Sequence, residues 1–221
     1  FHQIHLGEPT WLDPADPSVH AVVLRATGDR AFSAGLDVTE PFGQPDDVWN
    51  HEDPGEYLSA KWQQVWKPVV CAVQGICTAG GLYFVNEADV VICSDDATFF
   101  DSHVTFGLVS AIEPVGLMRR VGLGETLRMA LMGNDERVTA ATALRIGLVT
   151  EVVPRDELWT RADAIARTIA AKPPAATQGT VRAIWESLDK PYRAAVAQGL
   201  LYTRLGNPIG SAAIDRATLP R

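Results

Sequence analysis

Apolar positions along this chain fall into two rhythms. Residues 67–99, KPVVCAVQGICTAGGLYFVNEADVVICSDDATF, hold two short β-branched runs with no polar alternation, the pattern of strands buried on both faces. Gly75 ends the first run (69–73), and Gly80 and Gly81 head a predicted helix before the second run begins. Upstream, residues 20–26 alternate as a strand, a Thr-Gly-Asp turn follows, and Ala31-Phe32-Ser33-Ala34-Gly35-Leu36-Asp37 forms a loop of small residues. Beyond Pro114 the spacing changes to three and four, which predicts helices over 113–121, 124–132, 139–147 and 155–171. Lys172-Pro173-Pro174 breaks the series before two more helices, 175–188 and 192–205. Residues 41–59 are rich in proline, glycine and acid and read as a surface loop.

The glycines are where chemistry enters. A helix opening presents unpaired backbone N–H groups and the positive end of its dipole, so the turn at Gly80 and Gly81 can hold an oxygen that gains negative charge. The loop at Gly35 repeats the arrangement, with the Leu36 amide just beyond the glycine. Two amides from two loops would make an oxyanion hole. The competing reading is that both glycine clusters mark close packing of backbone and nothing more.

With these residues in view, the chain resembles the crotonase, or enoyl-CoA hydratase/isomerase, superfamily. The resemblance rests on AFSAG-x-D at 31–37, on KP-x-(apolar)-A-x-x-G followed by x-GG, on EADVVICSDDATF and on GLVTEVVP, and it covers about residues 20–210. It implies an α/β fold, a crotonase-like (ββα)n spiral over 1–153 whose opening hairpin and helix would precede residue 1, and a C-terminal helical trimerisation region over 154–221. It implies an acyl-CoA thioester substrate, no cofactor beyond the coenzyme A carried by that substrate, and a homotrimer or dimer of trimers. Leu36 and Gly80 are the positions whose amides would bind the thioester carbonyl, with Ala34, Gly35, Asp37 and Gly81 around them. Phe42, Trp49 and Tyr57 would wall the acyl group, or would simply pin a solvated loop.

Two departures from the family are as informative. Classical hydratases of this fold carry two glutamates, and the matching positions here are Tyr83 and His103. Adding water to an enoyl thioester needs a base for the water and an acid for the α-carbon. Replacements are concentrated in 99–116, FFDSHVTFGLVSAIEPVG. In an extended run Asp101 and His103 would face one side and pair as an oriented base. The plainer alternative is that Asp101 caps a loop and His103 bonds to backbone. Glu113 stands two residues past Ala111, where isomerases and dehalogenases of the superfamily place their carboxylate, and could instead only favour a helix dipole. Tyr83 could donate to substrate or satisfy the core. The expected activity is therefore a lyase or isomerase without the usual glutamate pair. Alternatives are a CoA-thioester hydrolase, a C–C bond-cleaving enzyme, or an acyl-CoA-binding protein without turnover.

Composition adds exclusions. The 221 residues are 47% hydrophobic, enough for one large domain, and the net charge of −8 argues against a nucleic-acid partner. No apolar run reaches the ~18 residues of a membrane span. Cys71, Cys77 and Cys93 lack CxxC spacing, and the five histidines are scattered, so the cysteines read as buried thiols of a cytoplasmic protein and no metal site is expected.

Overall fold

The structure, a computed structural model, describes residues 16–35, 49, 53–215 and 217. Among the described residues eight strands form two four-stranded sheets. The first contains β1 (Val22–Arg25), β3 (Val69–Val73), β5 (Val90–Ser94) and β8 (Glu151–Val153), paired in that order and all parallel. The second contains β2 (Ala31–Ser33), β4 (Ile76–Thr78), β6 (Thr98–Phe100) and β7 (Val138–Thr139), the last antiparallel. From β1 to β6 consecutive strands enter opposite sheets, and α1 (Gly81–Glu87) and α2 (Ile112–Leu117) follow the second and third pairs. This is the expected spiral of ββα units.

β3 explains how the layers stack. Its five residues are all buried, and neighbouring side chains leave opposite faces. Val69, Cys71 and Val73 join the core between the sheets with Cys77, Leu82, Val85 and Phe99. Val70 and Ala72 join a second cluster beneath α5 (Leu158–Ala170), whose Leu158, Ala162 and Ala166 are four apart and face the sheet. All three cysteines are buried and free; burial pushes the Cys71 and Cys93 thiols up to about 12, so they are inert as nucleophiles.

Several predicted elements change their limits. Residues 20–26 form only Val22–Arg25 as strand. The predicted helix over 113–121 is Ile112–Leu117, because beyond Leu117 the backbone tightens into three-residue turns, Arg119 N to Gly116 O at 3.1 Å and Arg120 N to Leu117 O at 2.9 Å. α3 (Leu123–Met132), α4 (Ala140–Ile146) and α6 (Pro174–Ser187) match their periodicity closely. α7 (Tyr192–Ala212) runs through Pro208 instead of stopping at 205; the Arg204 region left without a donor is exposed, where water can serve. Of the apolar residues on the C-terminal helices, Leu158, Ile165 and Ile169 pack inward, whereas Ile184, Leu188, Leu200 and Leu201 are about half exposed or more.

α6 and α7 form a helical hairpin tied to the core through a partly buried acid. Asp89, just before β5, accepts from Trp185 Nε1 (2.6 Å), from the Val69 amide (2.7 Å) and from Lys61 Nζ (3.0 Å). Lys61 is itself buried, and burial draws its ammonium below the usual lysine range against the pull of Asp89.

Candidate active site

β2, β4 and β6 are neighbouring parallel strands, so their carboxyl ends lie along one edge. Ala34 and Gly35 follow the first, Ala79 and Gly80 the second, Asp101 and His103 the third. This edge is where open α/β sheets place ligands. Strand order thus brings together three loops that are 20 or more residues apart in sequence.

The two glycine loops touch. Gly35 has φ +86°, and a Cβ there would come within 2.9 Å of Ala79 Cβ and 3.9 Å of the Gly80 nitrogen. Ala79 is itself at φ +47°, an uncommon conformation for a residue with a side chain. Gly80 opens α1, and a Cβ on it would meet nothing within 4 Å. Gly81 is confined, since its Cβ would strike Ser33 Cβ at 2.8 Å. Leu36, Asp37 and Phe42 lie outside the described residues.

Beside these loops stands a hydrogen-bonded cluster. Asp101, 1% exposed, accepts at Oδ1 from the His103 amide (3.0 Å), while the same oxygen meets His103 Nδ1 at 2.6 Å. Its Oδ2 accepts from Ser110 Oγ (2.7 Å). On the other side of the imidazole, Nε2 lies 3.7 Å from Glu113 Oε1. Asp101 and His103 meet, but not through strand alternation: β6 ends at Phe100, and the chain turns into a 3₁₀ helix at His103–Phe106. The carboxylate both caps this turn and holds the ring, so the two readings of Asp101 coexist. Glu113, 7% exposed in the first turn of α2, brings its carboxyl to the imidazole.

The electrostatics follow from burial and pairing. Burial raises Asp101, but hydrogen bonds from His103 and Ser110 outweigh it and hold the carboxyl below the usual range. The bond to Asp101 raises His103 despite partial burial. Burial raises Glu113, opposed in part by His103. With Asp101 ionised, Nδ1 carries its proton toward it, and Nε2 faces a carboxyl ready to share a second. Ligand atoms of Asp101, His103 and Glu113 all lie within 4.8 Å of one another. An ion held by all three would compete with Asp101 for His103 Nδ1.

Tyr83 is turned elsewhere. Its hydroxyl donates to Asp53 Oδ2 at 2.7 Å, and burial, then this bond, push its ionisation well upward. Asp53 also caps a 3₁₀ helix at Pro54–Leu58, so the end of the segment read as a surface loop is packed on α1. A cavity of about 390 Å³ opens beside Tyr83 and Ile112, walled by Trp62, Trp66, Val115 and Trp185. Trp49 and Tyr57 do not line it; Trp49 is 90% exposed. The repeated tryptophans of KWQQVW at 61–66 were the sequence signal for this wall. Trp185, on a distant helix, gave none.

A family model for enoyl-CoA hydratase/isomerase matches residues 14–204. The chain belongs to that family. It is 33% identical over 190 residues to a Rhodococcus jostii protein named (7aS)-7a-methyl-1,5-dioxo-2,3,5,6,7,7a-hexahydro-1H-indene-carboxyl-CoA hydrolase, covering 81% of this chain and 70% of that one. It is 31% identical over 172 residues to a short-chain-enoyl-CoA hydratase of Clostridium acetobutylicum, covering 76% of this chain and 65% of that one. Among solved structures, an enoyl-CoA hydratase/isomerase from Mycobacterium paratuberculosis superposes with a TM-score of 0.78 at 37% identity, over 92% of this chain and 76% of that one. As a member of the enoyl-CoA hydratase/isomerase family, the chain is an acyl-CoA-processing enzyme. Among the described residues no helix is long and apolar enough to cross a membrane.

Proposed function

We propose that this enzyme uses water to cleave a carbon–carbon bond in an acyl-CoA that carries a carbonyl β to its thioester. The observation behind this reading is the imidazole of His103 set between Asp101 and Glu113. Held by Asp101, His103 Nε2 takes a proton from water as the oxygen attacks the β-carbonyl. The bond between the β- and α-carbons then breaks, and its electron pair enters the thioester as an enolate. The amides of Leu36 and Gly80 hold the enolate oxygen. Protonated Glu113 gives its proton to the α-carbon, and His103 returns its own to Glu113. Water has been consumed, and a carboxylic acid and a shortened or ring-opened thioester remain. The hydrolase relative supports this chemistry.

The hydratase relative supports a second reading, in which the same pair adds water across an enoyl double bond. The exposed apolar residues of α6 and α7 support assembly as a homotrimer or dimer of trimers. Turnover in ¹⁸O-water with a linear 3-oxoacyl-CoA, a cyclic β-oxo acyl-CoA and crotonyl-CoA separates the readings. Label in a carboxyl group while the CoA thioester survives, as acetyl-CoA from the linear substrate or as a ring-opened acyl-CoA from the cyclic one, supports C–C cleavage; label in a carboxylic acid with release of free CoA replaces it by thioester hydrolysis. Label only in a 3-hydroxyacyl thioester replaces it by hydration. Tight acyl-CoA binding without label in any product would leave a binding protein.

A further inference from the structure

Asn86 sits at the opposite end of α1 from Gly80 and is 4% exposed. Its Nδ2 donates to the backbone carbonyl of Glu113 at 2.8 Å. Its own carbonyl accepts from Arg120 Nε at 3.0 Å, and Arg120 also donates to the carbonyl of Ala88, which fixes the end of α1. α2 is shaped to receive this side chain: a Cβ on Gly116 would come 2.6 Å from Asn86 Nδ2. Asn86 Oδ1, meanwhile, is buried with no protein partner among the described residues. A buried acceptor left unpaired destabilises the fold, and an apolar side chain of similar shape would avoid that cost. Packing alone therefore gives a poor account of an asparagine here; its donor to Glu113 gives a better one.

We infer that Asn86 is a positioning residue: by pinning the first turn of α2 to α1, it sets where the Glu113 carboxyl stands relative to His103 and to the Gly80 amide. The inference rests on the proposed role of Glu113 in proton transfer. One short helix then carries an oxyanion amide at its start and, at its end, the bond that places the proton donor. Misplacement by about 1 Å costs on the order of 10²-fold in rate.

The test compares Asn86→Ala, Gly116→Ala, their combination and Glu113→Gln, each checked for folding by thermal melting and near-UV circular dichroism. Asn86→Ala should lower kcat by about 10²-fold with little change in KM, and should move the acid limb of the kcat profile to lower pH as Glu113 leaves its buried seat. Gly116→Ala displaces Asn86 without removing it and should give the same kcat loss. In the double variant the alanine at 116 has room, so its penalty should vanish on the Asn86→Ala background. Should Asn86→Ala fail to fold, Gly116→Ala alone carries the comparison. Full kcat in the folded Asn86→Ala protein while Glu113→Gln is inactive would overturn the inference. So would a kcat loss with an unmoved acid limb, or additive penalties in the double variant. Full activity in Glu113→Gln would instead overturn the proton-transfer reading beneath it.

Discussion

Tyr83 and Asp53 are joined by a 2.7 Å hydrogen bond across 30 residues, and the chain is built to keep them so. A Cβ on Gly55 would lie 2.1 Å from Tyr83 Cζ, so the turn that Asp53 caps closes directly onto the ring. The side chain three residues past Gly80 is thus a strut for the 53–58 turn. By the family resemblance it takes the position of a hydratase carboxylate, and on the function proposed above the proton transfer falls to His103 and Glu113.

Tyr83→Phe should therefore weaken the fold more than the chemistry. Asp53 loses a bonding partner, and a hydrogen bond to a charged group is worth about 1.5–3 kcal/mol, which urea unfolding would register as a lower midpoint. His103→Ala should instead lower turnover by about 10²–10⁴-fold, the usual value of general acid–base catalysis. A larger kcat loss in Tyr83→Phe than in His103→Ala would make the tyrosine the reacting group.

The kcat profile with pH should be bell-shaped, because the active state of the His103–Glu113 pair holds one proton. On the acid side both groups are protonated and His103 can accept nothing from water. On the alkaline side neither is protonated and Glu113 can give nothing to carbon. Burial raises Glu113 and the bond to Asp101 raises His103, so the acid limb should lie above the usual carboxylate value of about 4.3 and the alkaline limb above the usual histidine value of about 6.5. A profile flat from pH 5 to 9 would remove the pair from the mechanism.

How far the sequence could be read depended on the range of each contact. The runs at 69–73 and 90–94 made both strands visible, and strand order then carried the loops at Gly35 and Gly80 together. The i, i+2 spacing of Asp101 and His103 gave the right contact through the wrong geometry, because a turn, like a strand, can set such residues side by side. Asn86 to Glu113, Tyr83 to Asp53 and Trp185 to Asp89 span 27, 30 and 96 residues. No local pattern encodes such pairings, so the strut, the helix link and the place of Trp185 in the cavity wall emerged only in three dimensions.

Asp89→Ala should be among the most destabilising single changes in the chain. It leaves the Lys61 ammonium, 7% exposed at its side chain, without its nearest counter-charge and frees the indole of Trp185. Breaking a buried pair by removing one partner costs about 3–5 kcal/mol. Denaturant unfolding should show it, with faster proteolysis of the α6–α7 hairpin. Replacing both partners, Lys61→Met with Asp89→Leu, should recover part of the loss, because no uncompensated charge remains.

The Gly80 turn offers the sharpest separation of backbone from side chain. A Cβ at Gly80 meets nothing within 4 Å, and φ is −53°, so Gly80→Ala keeps both the fold and the N–H and should keep most of the activity. Gly80→Pro suits the same φ but deletes the donor. Loss of one oxyanion donor costs about 2.7–4 kcal/mol of barrier, or 10²–10³-fold in kcat. Gly81→Ala should fail for another reason, since its Cβ would strike Ser33 at 2.8 Å, and the loss should appear in thermal melting before it appears in kcat. Leu36→Ala, which spares its amide, should behave like Gly80→Ala. The decisive comparison is kcat for Gly80→Ala against Gly80→Pro, both shown folded by circular dichroism. Equal activity in the two would mean that the thioester oxygen is held by some group other than this amide.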